Sequence, residues 1–409
     1  MDFSFTPEQE AFRREVRGFF ADLGPMPGFG GFDQGDDTAR ARAVERQLAQ
    51  RGWLTMAWPR AYGGQDADQL QQLIFREEAA IAGAPLGQGA SVIAPAIMLH
   101  GTEEQKRRFL PPIARAEIAW CQGFSEPGSG SDLASLQTRA VRDGDDYVIN
   151  GQKIWTTGAY RSDWIHLLAR TDPDAPKHRG ISYLLFDMKT PGVSVRRLTH
   201  LTGRADLCET FFDNVRVPAG QMLGPENRGW YVALTTLDFE RSGIDRVVSG
   251  QRVLDAIVAY VRRGPLPDPL PGRWGRENDS AISLSHDVER NGGGAGEGVW
   301  TQLADLQIAL NVGRLLCYRV AWMQARGLVP NHEASMTKVF GSELNQRIAN
   351  AGTRIMGLYG QLYEGEARAP ADGFIAFAHL HAVQATILAG TSEIQRNVIA
   401  TRGLGLPRE

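Results

Sequence analysis

The stretch TTLDFERSGIDRV, residues 235–247, sets a glutamate beside an arginine in a run with helical spacing. At about 100° per residue, Trp230, Ala233, Leu234, Leu237, Ile244 and Val248 share one apolar stripe. Glu240 lies three residues after Leu237 and four before Ile244, which turns it toward the stripe's edge, and Arg241 with it. Asp245 falls at the margin and Arg246 on the far side. Two readings fit. One is an intrahelical ion pair at a packing boundary, worth little in free energy. The other is a carboxylate in a partly dry cleft, where desolvation raises its pKa and makes it a general base.

A second group lies upstream. In WCQGFSEPGSGSDLASLQTRA, residues 120–140, Ser125-Glu126-Pro127 is followed by Gly128, Ser129, Gly130, Ser131 and Asp132. Small residues and hydroxyls at that density let a backbone approach a ligand closely, and free N–H groups in such a turn suit an anion or a carbonyl. An ordinary turn has the same composition. The sequence has no G-x-G-x-x-G after a strand, no Walker loop, no H-E-x-x-H and no G-x-S-x-G. KIWTT (153–157) and AGTSEIQRNVIATRG (389–403) follow in that order. With these three motifs the chain resembles the acyl-CoA dehydrogenase family of flavoproteins, from WPRAYGG (58–64) through the terminal TSEIQRN.

The resemblance implies FAD as cofactor and an acyl-CoA thioester as substrate. Phe124 and Ser125 would lie along the flavin ring, Ser125 bonding near its N1/O2 edge. Gly130 and Ser131 would approach the pyrophosphate and the pantetheine region of the substrate. Trp155 would pack on the isoalloxazine, with Thr157 near N5. Thr391, Ser392 and Glu393 would line the flavin at a helix N-terminus. Arg354 and Gly357 stand where the family has a glutamine and two glycines that meet a diphosphate, and Asp238 and Arg241 match positions that contact CoA.

The family reaction takes the α-proton of the thioester with a carboxylate while the β-hydrogen leaves as hydride, giving a 2-enoyl-CoA. Many members carry that glutamate two residues before the threonine of the GTS turn, where this chain has Ala389. A minority branch, with isovaleryl- and long-chain-type enzymes, places it on the first helix after the barrel in a pattern similar to L-D-x-E-R. Leu237-Asp238-Phe239-Glu240-Arg241 matches it, so the resemblance selects Glu240 as the catalytic base. The family's R-x-x-F-G motif, which reaches a neighbouring subunit's FAD, is missing after that helix. Similar departures occur in bacterial members that work as α2β2 heterotetramers, among them those acting on sterol or steroid side-chain thioesters. The expected partners are therefore a homologous second subunit, otherwise a second copy, and an electron-transfer flavoprotein. Two alternatives stay open: a catalytically silent partner subunit, favoured by Ala389, and a flavin monooxygenase or oxidase on the same fold, which needs no such base.

These residues need elements to hold them. Thr6-Pro7-Glu8 starts a helix, 38–51 and 66–83 have helical spacing, and another helix runs from Thr102 to Pro111-Pro112, giving a helical domain over 1–117. From 118 to 226 the pattern is strand and turn: a hairpin at Asn150-Gly151, then strands at 164–171, 180–188, 192–198 and 209–218. Helices return at 228–263, 299–326, 332–357, 374–388 and 392–402, forming a third domain, 227–409, with a Pro/Gly-rich excursion at 264–298. This order agrees with the fold that the resemblance implies, an α+β arrangement of N-terminal helical domain, central β-barrel and C-terminal four-helix bundle. Composition narrows the setting. With 43% hydrophobic residues, 22% charged and a net charge of −3, the chain reads as an ordinary globular protein without the basic field that nucleic acid or an anionic membrane attracts. No apolar run is long enough to span a bilayer, and the N-terminus has no signal-peptide pattern. Cys121, Cys208 and Cys317 are scattered and unpaired in sequence, pointing to reduced thiols and a cytoplasmic protein, and no metal site is expected.

Overall fold

The computed structural model describes residues 4–24, 26, 38–87, 89–241, 243–263 and 297–407, with 38, 237–241 and 297 described by backbone alone. Thr6 opens α1 (Pro7–Leu23) with a capping box: its hydroxyl accepts from the Gln9 N–H while the Gln9 side chain takes the Thr6 N–H. Two orphan donors of the first turn are satisfied reciprocally. Then come α2 (Thr38–Gln50), α3 (Gln69–Ala82), α4 (Ala94–His100) and α5 (Glu103–Ala114). The sequence predicts that α5 stops at Pro111-Pro112; instead it runs through them. Both prolines lie in its last turn, where a fixed helical φ is no obstacle, and the Arg115 N–H closes onto the Pro111 carbonyl.

The β unit is a curled seven-stranded sheet: β1 (Trp120–Gly123), β2 (Arg139–Asp143), β3 (Asp146–Lys153), β4 (Trp164–Arg170), β5 (Ile181–Asp187), β6 (Val193–Leu198) and β7 (Leu207–Pro218). Its order is β1-β4-β2-β3-β7-β6, with β5 paired on β4. The expected hairpin at Asn150-Gly151 is not a turn. β3 passes straight through it and pairs with β7, and the hairpin closes six residues earlier, with Asp143 opposite Asp146 and Gly144 at φ +62. Asn150-Gly151 makes a register shift instead: Gly151 sits at φ +150, and a Cβ there would lie 2.7 Å from the Thr138 Cα. The glycine is needed for close strand approach, a second use of the same signal.

Beyond the sheet lie α6 (Gly229–Arg241), α7 (Asp245–Arg263), α8 (Glu297–Gln324), α9 (His332–Met356), α10 (Phe374–Ala385) and α11 (Ser392–Val398). The single helix predicted over 228–263 is two. At the break, a Cβ on Gly243 would stand 2.0 Å from Asp245 Oδ1, so that carboxylate folds back over the junction. The break re-phases the apolar stripe. Val232 and Ala233 of α6 pack with Ile97, Phe109, Trp120 and Tyr183 against the sheet, whereas Ile244, Val247 and Val248 belong to the core of the C-terminal helices. Thus α6 lies on the sheet and α7 in the helical layer, with the candidate base at the junction. The predicted excursion at 264–298 lies outside the described residues, apart from the first two of α8. Cys121, Cys208 and Cys317 are buried free thiols, and no described helix is long and apolar enough to cross a membrane.

Candidate active site

The two motifs on the sheet are fastened together by an ion pair absent from the sequence reading. Lys153, the last residue of β3, is fully buried; its Nζ donates to the Phe124 carbonyl at 3.0 Å and to Glu126 Oε1 at 2.8 Å. Glu126 also accepts from the backbone N–H groups of Gln137 (2.6 Å) and Thr138 (2.8 Å). Burial opposes the charged carboxylate, but Lys153 and these N–H groups together hold it below the ordinary glutamate range. The Ile154 N–H donates to the Ser125 carbonyl at 2.9 Å. Residues 124–126 and 153–155 therefore run side by side.

Trp155 is the outlier there. It has φ +62, a left-handed conformation that costs a non-glycine residue about 1–2 kcal/mol. The kink breaks the two-residue alternation: Lys153 and Thr156 both enter the core, and Trp155 is left 56% exposed. Thr157, half-buried, borders a cleft between the sheet and α2 that also includes Glu45, Trp120 and Arg161. Burial pushes Glu45 up to about 7, against the opposing charges of Arg161 and Arg42. Phe124 turns its ring into the core, edge-on to His166 and Tyr183. After the tight Glu126–Ser129 bridge, Gly130 and Ser131 are exposed, and nothing lies within 4 Å of where a Cβ on Gly130 would be.

On the helical side, Thr391 caps α11 by accepting from the Ile394 N–H, and Ser392 is buried with a hydroxyl that has no partner among the described residues. Glu393 is exposed and held low by its own backbone N–H and the Thr391 hydroxyl. Just before this turn, Ala389 and Gly390 both have positive φ, +53 and +86, and the Ala389 carbonyl accepts from Gln395 Nε2. Lys338 of α9 is buried, and burial first, then Arg246, pushes it down to about 8 while Glu343 and Glu393 oppose the shift. Arg246 is in the first turn of α7, so the junction after α6 and the 391–393 turn meet around Lys338. Asp238, Glu240 and Arg241 are helical in backbone, but their side chains lie outside the described residues.

The predicted residues thus form three groups. Phe124, Ser125, Gly130, Ser131, Trp155 and Thr157 belong to the sheet. Thr391, Ser392 and Glu393 lie beside the N-terminal half of α9. Arg354 and Gly357 are exposed at its far end, about 24 Å from Lys338 at 1.5 Å per residue, so the structure does not bring them to the 391–393 turn. The segment after α9 and the start of α10 meet the loop before β7, through the Tyr363 hydroxyl on the Thr202 carbonyl and Arg204 over the Phe377 ring. These features fit FAD: an outward indole, an open glycine turn for phosphates, and on the helical side a buried hydroxyl without a partner among the described residues.

Three family models match successive parts of the chain. The N-terminal domain of acyl-CoA dehydrogenases matches residues 6–117, the middle domain 121–215 and the C-terminal domain 271–404. The chain is 36% identical to acyl-CoA dehydrogenase FadE26 of Mycobacterium tuberculosis, over 100% of this chain and 99% of that one. Among solved structures it is similar to the Tcur3481-Tcur3483 steroid ACAD, with TM-score 0.85 and 32% identity over 100% of both chains. It is also similar to the ChsE4-ChsE5 complex from Mycobacterium tuberculosis, with TM-score 0.84 and 34% identity over 100% of both chains.

Proposed function

The chain belongs to the acyl-CoA dehydrogenase family, and from that premise we propose that Glu240 removes the α-proton of an acyl-CoA thioester as the β-hydrogen departs, leaving a 2-enoyl-CoA. Family members are FAD-dependent oxidoreductases acting on acyl-CoA. Bound FAD would supply the hydride acceptor. Ser125, Trp155 and Thr157 would hold its ring from the sheet, and Thr391, Ser392 and Glu393 from the helical side. Gly130 and Ser131 would leave room for phosphates, Ser131 also touching the substrate's pantetheine. Asp238 and Arg241 would hold the CoA, and Arg354 with Gly357 would meet a diphosphate.

One observation supports this reading above the rest. α6 stays helical through Arg241, so residue 240 rides on a helix packed against the sheet, while residue 389 offers only a methyl group. A dry wall there would raise the carboxylate's pKa toward the working range of a base. Replacing Glu240 by glutamine should lower substrate-driven bleaching of bound FAD by about 10³-fold or more with FAD content unchanged. Full turnover in that variant would instead place the chain with the oxygen-using relatives. Ala389 favours one second reading, a silent subunit; it requires the wild-type complex to turn over through its other chain alone.

The relatives named as two-protein complexes support a homologous second subunit, and likeness to a steroid ACAD supports a bulky acyl group. Electrons would pass to an electron-transfer flavoprotein, and the buried free thiols are in keeping with the cytoplasm.

A further inference from the structure

A hydrogen-bonded chain runs from the strands behind the FAD motif to α6. His166 of β4 and Tyr183 of β5 are fully buried, and His166 Nδ1 lies 2.6 Å from the Tyr183 hydroxyl. That hydroxyl is 3.4 Å from Oγ1 of Thr236, also fully buried, on α6. Both rings meet Phe124 edge-on, with centroids 5.6 and 5.7 Å away. Burial pushes His166 down to about 3, so its ring is neutral. A neutral imidazole keeps one donor and one acceptor, which lets the two hydroxyls align in a single direction.

The preceding residue has its own tie. Thr235 Oγ1 lies 3.0 Å from His100 Nε2, at the end of α4. Neighbouring residues on a helix point about 100° apart. The two bonds thus grip α6 from different sides, Thr235 toward the N-terminal helices and Thr236 toward the sheet, and fix its rotation about its own axis. Position 240 follows Thr236 by four residues, about 6 Å along the helix and about 40° around it.

We propose that Thr236, held by Tyr183 and His166, is a positioning residue that sets the azimuth of Glu240 toward the substrate's α-carbon; this rests on Glu240 being the base. Displacement of a reacting group by about 1 Å costs on the order of 100-fold in rate. A purely structural hydroxyl would change stability and leave proton transfer alone.

The test uses the FAD-loaded protein with whatever second subunit it needs, and a 3-thiaacyl-CoA, which has no β-hydride to give. Exchange of its α-protons with D2O, followed by mass spectrometry, reads the base directly. Thr236→Val should slow exchange by about 10–100-fold with thioester affinity and melting temperature near wild type, and Thr236→Ser, which keeps the hydroxyl, should restore it. Tyr183→Phe should repeat the Thr236→Val result and carries the test if that variant fails to fold. Exchange at the wild-type rate in both Thr236→Val and Tyr183→Phe overturns the proposal. Glu240→Gln is measured alongside: exchange unaffected there defeats the assignment of the base, whereas loss there with none in Thr236→Val defeats the positioning role alone.

Discussion

At the scale of single residues, the buried pair Lys153–Glu126 is the group on which the sheet side of the site depends. Removing one partner of such a pair strands a charge and costs about 3–5 kcal/mol. Glu126→Gln should therefore unfold at lower denaturant near pH 7. The sign with pH follows from the depressed Glu126 pKa. Its contribution is fully present above the unfolded value of 4.5 and is lost as pH falls through the folded one. The gap between variant and wild type in denaturant titrations should close as pH falls below 4.5 and through the folded value; a gap that persists once the carboxyl is protonated would show the pair to be energetically idle. Neither partner was legible as such. KIWTT marked the motif, but strand alternation would put Trp155 on the same side as Lys153, and only the left-handed kink at 155 separates them. Ser125, Gly130 and Thr391 were named through the family resemblance, whose motifs are marked by hydroxyls and glycines in fixed order.

At the scale of elements, local patterning located most helices and strands, missing α4, β1 and β2, and misjudged where others turn. Asn150-Gly151 reads as a hairpin because both residues tolerate unusual φ; the partner strand across the sheet, invisible locally, makes it a bulge. The same blindness joined α6 to α7, since apolar spacing continues across Gly243 while the two helices serve different cores. Packing between α7 and α9 is where that arrangement is most exposed to change. Gly250 lets the two helices approach: a Cβ there would stand 2.5 Å from Asn345 Oδ1 and 2.9 Å from Ile348 Cδ1. Asn345 in turn donates to the Arg246 carbonyl at 2.6 Å, pinning the start of α7. Gly250→Ala should cost about 1–3 kcal/mol by overpacking, read as an earlier chemical unfolding midpoint. Stability equal to wild type would mean that the helices can separate without loss.

At the scale of the whole molecule, α8 is apolar on opposite faces. Leu303, Leu306, Leu310 and Cys317 enter the core, while Ile308, Val312 and Leu315 stand 60%, 42% and 46% exposed along the other side. Helices with apolar residues all round are normally covered all round. Val312→Glu should leave the chain folded but lower its assembly mass by light scattering; an unchanged mass would move the subunit contact elsewhere. This surface has a consequence for the cell. If the proposed second subunit covers α8, any excess of this chain over it would leave bare hydrocarbon in water, open to aggregation and proteolysis. Its abundance would then follow that of its companion, so matched synthesis of the two becomes as much a condition of activity as any side chain at the flavin.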